Sequence, residues 1–387
     1  MIKIHYLNQI SPKGTALWTK QYEMTQELDQ AQAVLVRSAS MHGLALPQGL
    51  LAVARAGAGV NNIPLEACAQ AGVVVFNTPG ANANGVVELV LCGMLLGCRD
   101  VIGGIEYVRS IAGTGDVAKQ VEKAKARFSG FEIRGKKLGV IGLGAVGGPL
   151  ANDARKLGME VYGYDPFISV DAAWHLDSHV IRMDTLEALF AQCDIISLHT
   201  PLLPQTRGMI DRAAIEKMRP GTVLLNFARD ALVDDEAVEE ALRTGKLRRY
   251  ITDFPNDRTA AMAGVVPIPH LGASTQESED NCARMAVGQV MDYLENGNIR
   301  NSVNFPDCDM GICVKTARVA ILHRNIPGAL SRATAAVAAE GINISDLVNR
   351  SKGAYAYTML DLDDPVSDAA LDHLRQLEGV LRVRKIK

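Results

Sequence analysis

The sequence predicts an α/β protein, with two doubly wound parallel-sheet domains followed by a small βαββαβ domain. Three observations carry this. Short apolar runs alternate with amphipathic stretches from the start of the chain to about Thr275, a rhythm that builds parallel sheets flanked by helices. The run Lys137 to Ile141 enters Gly142-x-Gly144-x-x-Gly147, and a second apolar run ends on Asp165. From Cys313 onward the pattern changes to strand, helix, two strands, helix, strand.

The first strands are read at Ile2 to Tyr6, Ala33 to Val36, Leu51 to Arg55 and Val73 to Phe76. Between the last two lies a helix over Ile63 to Ala71, opened by Asn61 or Asn62 and closed by Gly72. Asn84 to Cys98 is rich in small and apolar residues on all sides, which predicts a helix buried between layers that crosses into the second domain. There the strands are 138–141, 160–164, 194–198, 222–226 and Tyr250 to Asp253, with helices over 183–191, 211–218 and 235–244. A helix over Glu277 to Leu294, stopped at Glu295-Asn-Gly-Asn298, returns the chain to the first domain. The polar, turn-prone stretch Asn301 to Gly311 reads as a linker. After it come strand 313–323, helix 327–340, strands 342–349 and 354–362, helix 368–377 and strand 380–387, the ferredoxin-like arrangement. Arg382, Arg384 and Lys385 in the last strand read as guards against edge pairing.

Composition agrees. A length of 387 residues implies two or three domains. Hydrophobic content of 48% and charged content of 21% suit a soluble globular chain, and 35 glycines suit its many tight turns. The formal net charge of −3 gives no reason to expect nucleic acid or an anionic membrane as partner. Cys68, Cys92, Cys98, Cys193, Cys282, Cys308 and Cys313 are scattered without metal-ligand spacing. They read as buried thiols, so neither disulfides nor a metal site is expected. The N-terminus lacks a signal peptide's apolar region, and no run of 18 apolar residues occurs. A cytoplasmic protein is expected.

The glycine run has a chemical reading because of its context. Gly142 permits a tight turn, Gly144 removes the Cβ that would block a pyrophosphate, and Gly147 lets the helix approach the strand. The unpaired amides at the helix start then face the phosphates. Asp165 can accept both ribose hydroxyls and would repel a 2′-phosphate, which predicts NAD rather than NADP. In such a sheet the reactive side chains lie past the strand ends. Three stretches supply them: Arg229 after strand 222–226, Asp253 and Asp257 after the next strand, and His270 after a proline-stiffened approach. Histidine accepts a hydroxyl proton as hydride leaves, a carboxylate steadies the imidazole, and arginine grips a substrate carboxylate at two points.

With these residues in view, the chain resembles the D-isomer-specific 2-hydroxyacid dehydrogenases. The likeness rests on the glycine run with Asp165, on NFARDALVD (226–234) and on PHLGAST (269–275). The runs VRSAS (36–40), RAGAGVNNI (55–63) and NTPGAN (77–82) are similar to those of members that oxidise D-3-phosphoglycerate. The resemblance implies Arg229 as substrate clamp, His270 as acid-base and an acid beside it. It places Ala145 and Val146 at the pyrophosphate, Thr200 on the adenosine side, and Phe227, Ala228 and Arg229 at the nicotinamide end, with Thr78, Asp253 and Gly272 also toward the cofactor. The acid departs from the family run Asp-Val-Phe-x-x-Glu, for here it is Thr252-Asp-Phe-Pro-Asn-Asp257. Asp257 takes the glutamate position, one methylene shorter, and is expected to pair with His270. Thr252 replaces the family's aspartate, and Asp253 stands ready to compensate one residue on. Asp230 replaces a preferred glycine.

Substrate identity is expected in the first domain, where Arg37, Ser38, Arg55, Gly57 and Asn77 gather at strand ends. Two guanidinium groups beside a glycine turn suit a phosphorylated carboxylate. The C-terminal unit resembles the ACT regulatory domain. By that likeness His323, Asn325 and Asn343 are effector ligands for L-serine across a subunit interface, which implies a homodimer or homotetramer. The expected division is 1–90 with 276–303 for substrate, 91–275 for NAD and 312–387 for regulation. The expected reaction is oxidation of D-3-phosphoglycerate to 3-phosphohydroxypyruvate, entering serine synthesis. The alternatives are another D-2-hydroxyacid dehydrogenase, for glycerate, 2-hydroxyglutarate or lactate, and a non-catalytic amino-acid sensor.

Overall fold

The computed structural model describes residues 1–387. The chain forms two compact units, one of residues 1–81 with 279–387 and one of residues 82–278.

In the first unit, strands β1 (Ile2–Tyr6), β2 (Tyr22–Met24), β3 (Ala33–Val36), β4 (Ala52–Arg55) and β5 (Val74–Phe76) form a parallel sheet in the order β2-β1-β3-β4-β5. Strands β3 and β5 are buried along their length, as a sheet covered on both faces requires. The helix Gln276–Asn296 lays Ala283, Ala286, Val287, Val290 and Tyr293 into the core beneath this sheet.

In the second unit, seven strands run parallel: β6 (Lys137–Ile141), β7 (Glu160–Tyr164), β8 (Ile181–Arg182), β9 (Ile195–Leu198), β10 (Thr222–Asn226), β11 (Leu247–Thr252) and β12 (Val265–Pro267). Their order is β12-β11-β10-β9-β6-β7-β8, so the winding reverses at β6 and a crevice opens past the ends of β6 and β9. The helix Ala83–Cys98 belongs to this unit. It is not buried all round, as its composition suggested, because Leu95 is 52% exposed and only one face packs. That face is lined with glycine because the sheet is close. A Cβ at Gly93 would stand 2.6 Å from Phe227 and one at Gly97 2.7 Å from Val223. Two further helices, Val101–Ser110 and Val117–Ala124, follow where no element was predicted.

The C-terminal residues form β13 (Ala317–Arg324), β14 (Ile344–Lys352), β15 (Tyr355–Leu362) and β16 (Val380–Lys385), antiparallel in the order β14-β15-β13-β16. The helices Ala329–Ala339 and Asp368–Gln376 cover one face. By its contacts this sheet falls in the first unit. Its other face places Ala320, Leu322, Tyr355, Tyr357 and Met359 in the same core as β3, β5 and the long helix.

Polar contacts tighten that junction. Arg318 is fully buried, pairs with Asp361 through two hydrogen bonds and also donates to the carbonyls of Asn296, Met310 and Gly311. Arg382 donates to the carbonyls of Gln48 and Ala71, and Arg384 to those of Tyr293 and Leu294. These two are therefore fasteners rather than edge guards, because β16 lies against the first unit. The stretch expected as a linker is also held. Asn304 bonds the backbone of Val73 and Val75, Val303 donates to the Val75 carbonyl, and Phe305 is fully buried. Its polar residues serve as surrogate strand partners for β5.

Candidate active site

In the second unit, β6 ends in Gly142, whose φ of +89° excludes most other residues. A Cβ at Gly147 would lie 1.9 Å from the Gly142 carbonyl, so the helix Gly147–Lys156 touches the turn. A Cβ at Gly144 would meet nothing within 4 Å. The space that Gly144 leaves is open, and no side chain caps the helix start beside it at Val146, with Ala145 in the same turn. Asp165, past β7, accepts from the Leu143 amide at 2.8 Å and the Phe167 amide at 2.9 Å, so its carboxylate sits on the glycine turn. These features fit a dinucleotide: room at the pyrophosphate, free amides to bind it, and an anchored carboxylate for the ribose. Past β9, His199 bonds Ser197 at 2.8 Å, and burial holds its imidazole neutral, down to about 4. Thr200 follows it, its hydroxyl toward the Met209 sulfur.

Beyond β10, Phe227 and Ala228 are buried, and Asn226 braces the turn by donating to the Arg229 carbonyl at 2.9 Å. The exposed Arg229 guanidinium donates to the Ala228 carbonyl and lies 5.5 Å from the centre of the Phe254 ring. That ring stands 4.4 Å from the His270 imidazole. Arg229, Phe254 and His270 thus form one stack from three separate strand ends. Burial and the Arg229 charge both hold His270 below the ordinary histidine value. Asp253 is buried with its Oδ1 unpartnered, and burial pushes its carboxyl up to about 6 against the pull of Arg229.

Asp257 is exposed in the first turn of the helix Asp257–Ala261, where Asn256 and Thr259 cap each other, and no ion pair joins it to His270. Gly272 is buried against Val86, which sets the His270 loop on the helix Ala83–Cys98. The sequence reading gave Phe254 no role. Its place between two acids just past a strand end was the available signal.

In the first unit, the ends of β3, β4 and β5 bring Arg37, Ser38, Arg55, Gly57 and Asn77 together. Asn8 accepts from the amides of Arg37, Ser38 and Ala39, shaping that turn. Arg55 donates to the Arg37 carbonyl at 3.0 Å and lies over Gly57, where a Cβ would stand 2.7 Å from its guanidinium. Asn77 donates to the Ala58 carbonyl at 2.6 Å. Thr78 is fully buried, its amide on the Gly57 carbonyl. Arg37 pairs with Glu279 at 2.5 Å, a partner that the sequence reading missed because more than 200 residues separate them.

In the C-terminal sheet, His323 is buried and bonds Thr358, which donates to Asn349. Asn325 donates to the Gly353 carbonyl and Asn343 to Asp363. Register puts His323 and Asn325 at the Arg324–Tyr355 end and Asn343 at the opposite end, by Leu362. About 20 Å of strand therefore separates them, and no single site in one chain holds all three.

Comparison with known proteins bears on these features. Residues 103–272 match the D-isomer specific 2-hydroxyacid dehydrogenase NAD binding domain, and residues 317–379 match the ACT domain. The chain belongs to the D-isomer-specific 2-hydroxyacid dehydrogenase family and carries an ACT domain at its C-terminal end. Within that family it is similar to the D-3-phosphoglycerate dehydrogenase of Haemophilus influenzae, 32% identical with 84% of this chain and 78% of that one covered. The enzyme of the same name from Escherichia coli strain K12 is 31% identical, with 84% and 79% covered. Among solved structures, the NAD+-bound 3-phosphoglycerate dehydrogenase of Entamoeba histolytica aligns at a TM-score of 0.58 and 29% identity, over 78% of this chain and 98% of that one. NAD is the cofactor of the matched domain. No helix is long and apolar enough to cross a membrane.

Proposed function

We propose that the protein oxidises D-3-phosphoglycerate to 3-phosphohydroxypyruvate, the first step of L-serine synthesis, in the cytoplasm. The observation that carries this reading is the stack of Arg229, Phe254 and His270 past the strand ends of the NAD domain. Bound NAD supplies the hydride acceptor. Gly142, Gly144, Ala145, Val146, Gly147 and Asp165 would hold its pyrophosphate and ribose, and Thr200, Phe227, Ala228, Asp253 and Gly272 would complete its site. Arg229 grips the substrate carboxylate at two points and polarises the carbonyl that forms. A ring nitrogen of His270 accepts the hydroxyl proton, and its lowered pKa keeps the ring neutral and ready at neutral pH. Phe254 fixes the spacing between them.

Asp257 is retained as the acid for the imidazolium, because the Phe254–His270 contact sets the two segments side by side. Arg55, with Arg37, Ser38, Gly57 and Asn77, takes the phosphate. His323, Asn325 and Asn343 bind an amino-acid effector, L-serine, when a second chain brings the opposite sheet end alongside, in a homodimer or homotetramer.

The test follows NADH absorbance with D-3-phosphoglycerate and with D-glycerate, in the wild type and in Arg55→Ala. The phosphorylated substrate is expected to lose kcat/KM by roughly tenfold to a hundredfold, as for a lost charged hydrogen bond, while the other scarcely changes. Equal losses on both would point to another 2-hydroxy acid. Absence of turnover beside tight serine binding would point to a sensor.

A further inference from the structure

Between β14 and the segment after the long helix lies a cleft of about 570 Å³. Asn77, Asn301, Ser302, Asp307, Arg350 and Lys352 are among its walls, and Arg37 and Arg55 are not. Arg350 and Lys352 alternate along β14, opposite Tyr357 and Tyr355. Those tyrosines bond the Gly297 carbonyl and Glu66 on the far side of the junction, so the two cations share the face turned toward the first sheet. Lys352 is held by the Ser302 carbonyl at 2.8 Å, whereas Arg350 has no carboxylate partner. Two cations thus share an open wall with a single carboxylate, Asp307.

The cleft is wired to the substrate half of the unit. The Asn77 amide donates to the Asn301 carbonyl at 3.3 Å, and Gln289 bonds the Asn77 carbonyl and the Asn301 side chain together. Asn301 takes a left-handed backbone conformation, φ +58°, to do this. From its other side Asn77 holds Ala58, in the turn beneath Arg55.

We propose that this cleft is a second ligand site, which takes a small dianion, a phosphomonoester or a dicarboxylate, and passes its occupancy through Asn77 to the Arg55–Gly57 turn. Arg350 provides a planar two-point grip and Lys352 a point charge. Asn301 supplies a neutral hydrogen bond, and Asp307 disfavours ligands of greater charge on its side.

The test is calorimetric titration of the full-length Arg55→Met protein, whose substrate half is disabled, with inorganic phosphate and with malonate at fixed ionic strength. Saturable binding of one probe or both is expected, and the stronger probe assigns the ligand class. Adding Arg350→Met is expected to weaken it by roughly tenfold or more, and Lys352→Met should do likewise. Both positions are exposed, so the fold should stand, and turnover without probe should be unchanged in Arg350→Met alone. Hydrogen exchange at residues 56–60 is expected to slow when the probe binds. No saturation, or affinity indifferent to Arg350, overturns the site, and unchanged exchange overturns the coupling. The binding and exchange readouts do not use turnover on D-3-phosphoglycerate, so the proposed activity can fail without the site failing.

Discussion

Glu279 neutralises Arg37, whereas no acid pairs with Arg55. A phosphate entering the substrate half must compete with Glu279 for Arg37. Glu279→Gln is therefore expected to lower KM for D-3-phosphoglycerate by roughly twofold to fivefold, the worth of a partly exposed ion pair, with kcat and the KM for D-glycerate unchanged. Steady-state kinetics on both substrates checks this, and a raised KM would mean that Glu279 aims Arg37 productively. The second residue-scale question is the acid for His270. Burial and Arg229 hold that imidazole low, and a carboxylate swung alongside raises it. The oxidation needs the neutral ring, so the acidic limb of kcat/KM follows this pKa. Asp257→Ala is expected to move the limb to lower pH and to cut kcat by roughly tenfold to a hundredfold. An unmoved limb would leave the imidazolium without Asp257. Arg229 and His270 were legible from their strand-end positions; Phe254 and Glu279 were not, because a spacer ring and a distant ion pair leave no local pattern.

The glycine turn shows what one element asks of each position. Gly147 has backbone 1.9 Å from where a Cβ would stand, whereas Gly144 faces open space. Gly147→Ala is expected to destabilise the second unit by about 1–3 kcal/mol or more, as overpacking does. Gly144→Val should leave thermal unfolding unchanged and abolish NADH binding in a fluorescence titration. Retained binding would remove the turn from the cofactor. This element was readable because its geometry permits few residue types. The segment 301–311 misled for the opposite reason. Asparagine and serine mark turns, yet here the Asn304 side-chain amide completes the edge of β5, braced by the Ser302 hydroxyl. Composition does not distinguish those uses.

At the scale of the molecule, the C-terminal sheet and the first sheet share a core, with Arg318 and Asp361 at its margin. Removing one member of a buried pair strands the other. Arg318→Met is expected to cost about 3–5 kcal/mol, and hydrogen exchange should show the strands β1, β3 and β4 losing protection together with β13 to β16. Loss confined to the C-terminal strands would make that sheet an independent body.

Local order came from the chain itself. The alternation of apolar runs dictated parallel strands, the glycine spacing dictated a phosphate-ready turn, and the change of rhythm after Cys313 dictated an antiparallel sheet, since each follows from backbone sterics and side-chain period. Tertiary structure decided which distant side chains meet. Phe254 stands between Arg229 and His270, Glu279 reaches Arg37, and the face of the last sheet closes on the first unit rather than on water. Such contacts depend on how whole apolar faces complement one another, and no periodicity within a single segment encodes that fit.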